Sequence, residues 1–350
     1  MTKDPMKTII SFVLLLVMTT GATAQLQLNG AGATFPYVIY SKWFDEYQKK
    51  TGVQFNYQSI GSGGGIKQVI EGTVDFGATD GPMNDTQLAE AKAKRGTDVL
   101  HIPTVMGAVV ATYNVSGIGA GLKLTPDVLA DIFLGKVKTW NDPRIAAVNK
   151  GVTLPAKPIV VVHRSDGSGT TYIFVDYLSK VSAEWKQSVG VGTSVKWPLG
   201  LGGKGNEGVA GQVKQIDGSI GYVELAYAVK NNLSYASIRN KAGNFIVPSL
   251  ESVTAAAMNE AKKMPADLRV SITDAAGKDS YPVSGFTWLL VYQDQKDQAK
   301  GKAMVEFLKW AFKEGEKFAP ALYYAPLPKE VIALNMKKIA SIRHNGQPIR

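Results

Sequence analysis

Short β-forming runs alternate with amphipathic helical stretches along most of this chain, and that alternation leaves few ways to bury both. The runs are "VQFNYQSI" (Val53–Ile60), "AVVATYNV" (Ala108–Val115), "PIVVVHR" (Pro158–Arg164) and "WLLVYQ" (Trp288–Gln293). Between them, Ile39, Trp43 and Tyr47 recur every fourth residue, and Val305, Leu308 and Phe312 share a face of "KAMVEFLKWAFKEG" (Lys302–Gly315). The pattern predicts an α/β protein with largely parallel sheets. Loops are glycine-rich, notably "GSGGG" (Gly61–Gly65) and "GLGGKGNEG" (Gly200–Gly208), yet no single linker divides the chain. Its 350 residues suffice for two cores of ordinary size. Two interwoven domains are therefore expected.

The first two dozen residues read as a leader. Lys3 and Lys7 precede an apolar run, "IISFVLLLVM" (Ile9–Met18), and "TTGATA" (Thr19–Ala24) follows it. A basic start, a short apolar stretch and a small-residue ending form the pattern of a cleaved secretory signal, here residues 1–24. Met6-Lys7 offers an alternative start to Met1. The apolar run is shorter than the roughly 18 residues of a membrane-spanning helix. There is no cysteine, hence no disulfide and no thiol for lipid attachment. A soluble periplasmic protein is the expectation. The formal net charge of +10 suggests an anionic partner. Because Lys and Arg are spread along the chain, nucleic acid and membrane surfaces are poor candidates.

Three helix starts share one chemistry. "GAGATFP" (Gly30–Pro36), with Pro36 expected in the first turn, "IGSGGGIKQVI" (Ile60–Ile70) and "RSDGSGTTYIF" (Arg164–Phe174) each place Gly, Ser or Thr directly before a helical pattern. Such a start offers unpaired backbone N–H groups and the positive end of a helix dipole, and glycine lets a ligand approach the backbone closely. One alone would be an ordinary N-cap; three, one of them carrying Arg164, suggest convergence on a single oxyanion.

Two acids test that idea. "TVDFGATD" (Thr73–Asp80) reads as a short buried strand with Asp80 at its C-terminal edge, where α/β folds place ligands. An oxyanion that carries a proton, as phosphate does, can donate it to an ionised Asp80. A fully ionised sulfate cannot, and the unpaired buried acceptor would cost enough for a preference on the order of a hundredfold or more. Asp166, two residues after Arg164, can hold the guanidinium through paired hydrogen bonds.

Enzymatic readings find little support. "GLGGKG" (Gly200–Gly205) fits G-x-G-x-x-G, but that pattern alone is weak and no acidic ribose partner follows. A Walker motif fails because Lys204 precedes Gly205. His101, His163 and His344 are scattered and have no ligand spacing, and His163 should point away from its strand neighbour Arg164. A phosphatase would need a metal set or an activated nucleophile, and neither is legible. A sulfate or molybdate binder is the nearest rival in the binding class, and Asp80 argues against it. A surface adhesin would leave the three helix starts unexplained.

The motifs "GAGATFP", "GSGGG", "VDFGATD", "RSDGSGT", "VKWPLGLGGKGNEGVA" (Val195–Ala210) and "GSIGYVELAYA" (Gly218–Ala228) occur in this order. In them the chain resembles the substrate-binding proteins of the bacterial phosphate-specific (Pst) ABC transporter, over essentially its whole length after the leader. The resemblance implies a type II periplasmic binding protein fold. Two α/β lobes are joined by crossing strands, with a dehydrated phosphate in the cleft. Lobe 1 would be residues 25–105 and 286–350, and lobe 2 residues 106–285. The implied phosphate contacts are Thr34, Phe35 (through its backbone N–H), Ser62 and Asp80, then Arg164, Ser168, Gly169 and Thr170, with Asp166 orienting Arg164. Gly63 departs from the pattern, since relatives often carry a second serine there. The implied role is a monomeric periplasmic receptor that hands inorganic phosphate to membrane permease subunits for import. It is not an enzyme, and no cofactor or metal is expected.

Overall fold

The computed structural model describes residues 25–261 and 263–349, so the expected signal segment lies outside the described residues. The alternation becomes a first half in which β1 (Gln27–Gly32), β2 (Gln54–Ser59) and β3 (Phe76–Thr79) run parallel, linked by helices α1 (Tyr37–Thr51) and α2 (Ser62–Glu71). In α1 the expected stripe of Ile39, Trp43 and Tyr47 is buried, together with Tyr40 and Phe44. Phe44 stacks on Phe55 of β2 at 5.0 Å between centroids, and Trp43 Nε1 donates to the Gly315 carbonyl at 2.7 Å. Pro36 is the residue capping α1 and lies just outside the first turn.

Strand β4 (Val99–Asn114) then leaves this half for the second. There β5 (Val160–Arg164), α3 (Gly169–Val181), β6 (Leu201–Gly203), α4 (Gly205–Gln215) and β7 (Ser219–Glu224) form another parallel unit. The "GLGGKGNEG" stretch, which its glycines make look like a loop, supplies β6 and the start of α4. Late in the chain β8 (Ser284–Tyr292) returns to the first half, followed by α5 (Gln298–Lys313), where Val305, Leu308 and Phe312 are buried as expected.

One sheet path runs through both halves in the order β2-β1-β3-β8-β4-β7-β5-β6. Its flanks are parallel, but its centre is not: β8 lies antiparallel to β3 and β4, and β4 antiparallel to β7. The expectation of largely parallel sheets is corrected here. Strands that cross from one half to the other enter the neighbouring unit against its direction, so the junction cannot be built from right-handed crossovers alone. Strand β4 pairs with β8 from Val99 to Ala108 and with β7 from Val109 to Asn114. That single strand joins two α/β halves, and it is buried along nearly its whole length because helices cover both faces.

Candidate functional site

In the second half, β5 ends on Arg164, whose side chain is almost wholly buried. Asp166 takes two of its N–H groups, Nε at 2.8 Å and Nη2 at 2.6 Å, and Nη1 lies 3.4 Å from Thr170 Oγ1. This is the paired bond expected from the two-residue spacing, and it leaves the guanidinium one orientation. Asp166 Oδ1 also accepts the Gly205 N–H at 3.0 Å. Burial alone would raise the Asp166 carboxyl, yet the bonds and charge of Arg164 prevail and hold it below the usual range. Tyr222 supports the same residue by accepting the Arg164 backbone N–H at 3.1 Å. Ser168 caps α3, its Oγ accepting the Thr171 N–H at 3.0 Å. Its hydroxyl proton stays available, so the capping role and a ligand role are compatible.

In the first half, Thr34 and Phe35 lie between β1 and α1, both buried. Their carbonyls accept the hydroxyls of Tyr227 and Tyr324 respectively, each at 2.6 Å. The Phe35 ring is in the core, 6.2 Å from the Tyr324 ring, so only its backbone can face a ligand. Ser62 opens α2, and its Oγ accepts the Asp80 N–H at 3.2 Å. Asp80 directly follows β3, at the strand edge where the sequence places it. Thr287 donates to its Oδ1 at 2.8 Å, while Oδ2 is buried without a hydrogen-bond partner among the described residues. Burial pushes the carboxyl up to about 7 against the opposing pull of Thr287, Arg164 and Ser62. A bulge aims Thr287: the β8–β4 register steps from Thr287–Val105 to Trp288–Pro103, skipping Thr104. Thr104 Oγ1 then donates to the Thr287 carbonyl at 3.2 Å.

The two halves meet at these residues. A Cβ added to Gly169, the first residue of α3, would overlap Asp80 Oδ2 and come within 2.5 Å of Ser62 Oγ. Gly63 N–H donates across to the Gly167 carbonyl at 2.9 Å, so the position that departs from the family pattern makes a backbone contact between the halves. Asn206 Nδ2 reaches Thr34 Oγ1 at 2.7 Å and Thr170 Oγ1 at 3.1 Å. Thr34, Thr170, Arg164 and Asp166 thus form one network, and Ser62, Asp80 and Gly169 a second, with Ser168 and Phe35 next in chain to members of each. Two of the histidines are engaged elsewhere: His163 stacks on Trp197 at 4.8 Å, and burial holds His101 down at about 3, accepting the Met83 N–H.

Asn206 and Thr287 were not anticipated as site residues. Asn206 had a signal, a fourth glycine-rich helix start overshadowed by its weak G-x-G-x-x-G match. Thr287 had none, because its partner lies 207 positions away.

Donor groups from both halves, one fixed arginine and one buried acceptor have the chemistry to hold a partly protonated oxyanion. Fold and site together define a two-lobed binding protein of the periplasmic type. A family model described as "PBP superfamily domain" matches residues 18–314. The phosphate-binding protein PstS of Pasteurella multocida is 52% identical over 320 residues, covering 91% of each chain. That of Haemophilus influenzae is 46% identical over 321 residues, covering 91% of this chain and 94% of the relative. The chain belongs to the PBP superfamily and, within it, to the family of these PstS phosphate-binding proteins. Two solved structures share the fold. A high-affinity periplasmic phosphate-binding protein bound with phosphate (PfluDING) has a TM-score of 0.72 at 23% identity, over 92% of this chain and 99% of that one. A phosphate-binding protein of Stenotrophomonas maltophilia has a TM-score of 0.67 at 19% identity, over 89% and 93%.

Proposed function

We propose that this chain is a periplasmic receptor that captures inorganic phosphate between its two lobes and delivers it to the permease subunits of an ABC transporter. The observation that carries this reading is the Oδ2 of Asp80, a buried acceptor without a partner among the described residues, set near the Arg164 charge and the helix starts of Ser62 and Gly169. A ligand that fits must present mostly acceptor oxygens and one proton, which describes phosphate near neutral pH. Thr34, Phe35, Ser62, Asp80, Arg164, Ser168, Gly169 and Thr170 contact it, and Asp166 keeps Arg164 in place. Lobe 1 comprises residues 25–105 and 286–350, and lobe 2 residues 106–285. Residues 1–24 direct export and are removed, and the mature chain acts as a monomer without a cofactor.

The test is calorimetric titration of the ligand-stripped mature chain with phosphate and then sulfate, roughly two pH units above the value of about 7 to which burial raises Asp80, so that its carboxylate is ionised. One-to-one phosphate binding with silent sulfate supports the reading. Binding of both retains the clamp and discards Asp80 as the discriminator. Binding of neither by a folded chain removes the receptor assignment.

A further inference from the structure

Asn206, the second residue of α4, is fully buried and is not among the ligand contacts proposed above. Its side-chain oxygen accepts the backbone N–H of Glu224 at 2.9 Å. A backbone N–H can only donate, so this bond fixes which end of the carboxamide is oxygen and turns the NH2 group toward the cleft. That NH2 group donates to Thr34 Oγ1 and Thr170 Oγ1, one threonine from each half of the molecule.

Both hydroxyl oxygens are then saturated as acceptors. Thr34 Oγ1 takes a second N–H from the Asn206 backbone at 3.3 Å, and Thr170 Oγ1 a second from Arg164 at 3.4 Å. A hydroxyl has two lone pairs and one proton, so each threonine retains only its proton to offer. Among the described residues neither hydroxyl donates to a protein acceptor.

We infer that Asn206 is a positioning residue that sets the hydrogen-bond polarity of the cleft, forcing Thr34 and Thr170 to present their protons from opposite lobes to a ligand oxygen. The inference rests on the phosphate-receptor reading and refines it. It presets both threonine hydroxyls as donors, opposite in character to the Asp80 carboxylate. Because the Thr34 bond crosses between lobes, the arrangement is complete only when the lobes are together.

The experiment is calorimetric titration with inorganic phosphate of the natural chain, Asn206→Leu, Thr34→Val/Thr170→Val, and the triple variant. Asn206→Leu should lower phosphate affinity roughly ten- to hundredfold in the natural background, the effect of loosening hydrogen bonds to a charged ligand. In the Thr34→Val/Thr170→Val background it should cost no more than about twofold, because the hydroxyls through which it acts are gone. Equal losses in the two backgrounds, or no loss in the natural one, overturn the inference. If Asn206→Leu fails to reach the natural melting curve, Asn206→Asp replaces it. Its carboxylate still accepts the Glu224 N–H, and its charge repels phosphate in both backgrounds alike. A larger loss in the natural background then supports the polarity role, and identical losses overturn it. A natural chain that ignores phosphate overturns the receptor reading and this inference with it.

Discussion

Asp80 is pulled in opposite directions by its surroundings. Burial raises its carboxyl to about 7, while Thr287, Arg164 and Ser62 stabilise the charge. An acid raised in the folded state holds its proton more tightly than the unfolded chain does, whose carboxyls titrate near about 4. Its contribution therefore favours the fold in acid and is lost as pH climbs from about 4 to about 7. Buried Glu224 and half-buried Glu316 shift the same way, so comparison with a variant is needed to isolate Asp80. Thermal melts of the ligand-free chain across that range should fall more steeply for the natural protein than for Asp80→Asn. Selectivity follows the same titration. Sulfate binding by the natural chain should strengthen as pH drops through about 7, when the carboxyl becomes a donor. Asp80→Asn should bind sulfate without that step, and a flat sulfate profile in the natural chain would refute the role given to Asp80. At this scale Asp80 and the Arg164–Asp166 pair were legible from position and spacing. The Asn206–Thr34 bond was not, because it joins residues 172 positions apart.

A helix start can be read from the sequence more easily than the surface it will meet. Gly169 opens α3, where alanine is intrinsically at least as good a helix former, by up to about 1 kcal/mol in an interior turn. If the lobes stand apart without ligand, Gly169→Ala should thus leave the melting temperature of the ligand-free chain unchanged or slightly higher, and a lowered one would mean that they stay together. It should nonetheless lower phosphate affinity about a hundredfold or more, since the methyl would collide with Asp80 and Ser62 of the other lobe. Calorimetry paired with melting separates the two effects, and full affinity in the variant would mean the lobes approach along another line. The stripes of α1 and α5 were legible because a 3.6-residue period shows which face is buried. Strand direction was not, since an apolar run such as β4 reads the same in a parallel or an antiparallel neighbourhood.

A second bridge between the proposed lobes lies away from the oxyanion clamp. Arg269 donates to the Met83 carbonyl and to Asp85, each at 2.7 Å, while the hydroxyls of Ser271 and Thr273 both bind Asp176 of α3 at 2.5 Å. This strap runs beside an open groove of about 790 Å³ lined in part by Met83, Asp85, Tyr172 and Arg269. The Asp85 side chain is 90% exposed, so its ion pair is worth no more than about 1 kcal/mol and is screened by salt. Arg269→Gln should accordingly speed phosphate release only a few-fold, and by less at high ionic strength. Stopped-flow dissociation at two salt concentrations checks this; a slower or unchanged rate would show that the strap does not resist opening.

Local pattern determined a good deal of this protein. Period and alternation specify an α/β chain, glycine and hydroxyl residues before helices specify anion-ready termini, and a two-residue spacing pairs Arg164 with Asp166. Each of these interactions is made within a few residues of chain. Tertiary structure alone decided which helix starts face one another, that the halves join antiparallel through β4, and that Thr287 bonds Asp80 and Asn206 bonds Thr34. Those contacts depend on sheet register, a bulge and the approach of two lobes, and hydrogen bonds made at such separations leave no periodic trace in the residues that form them.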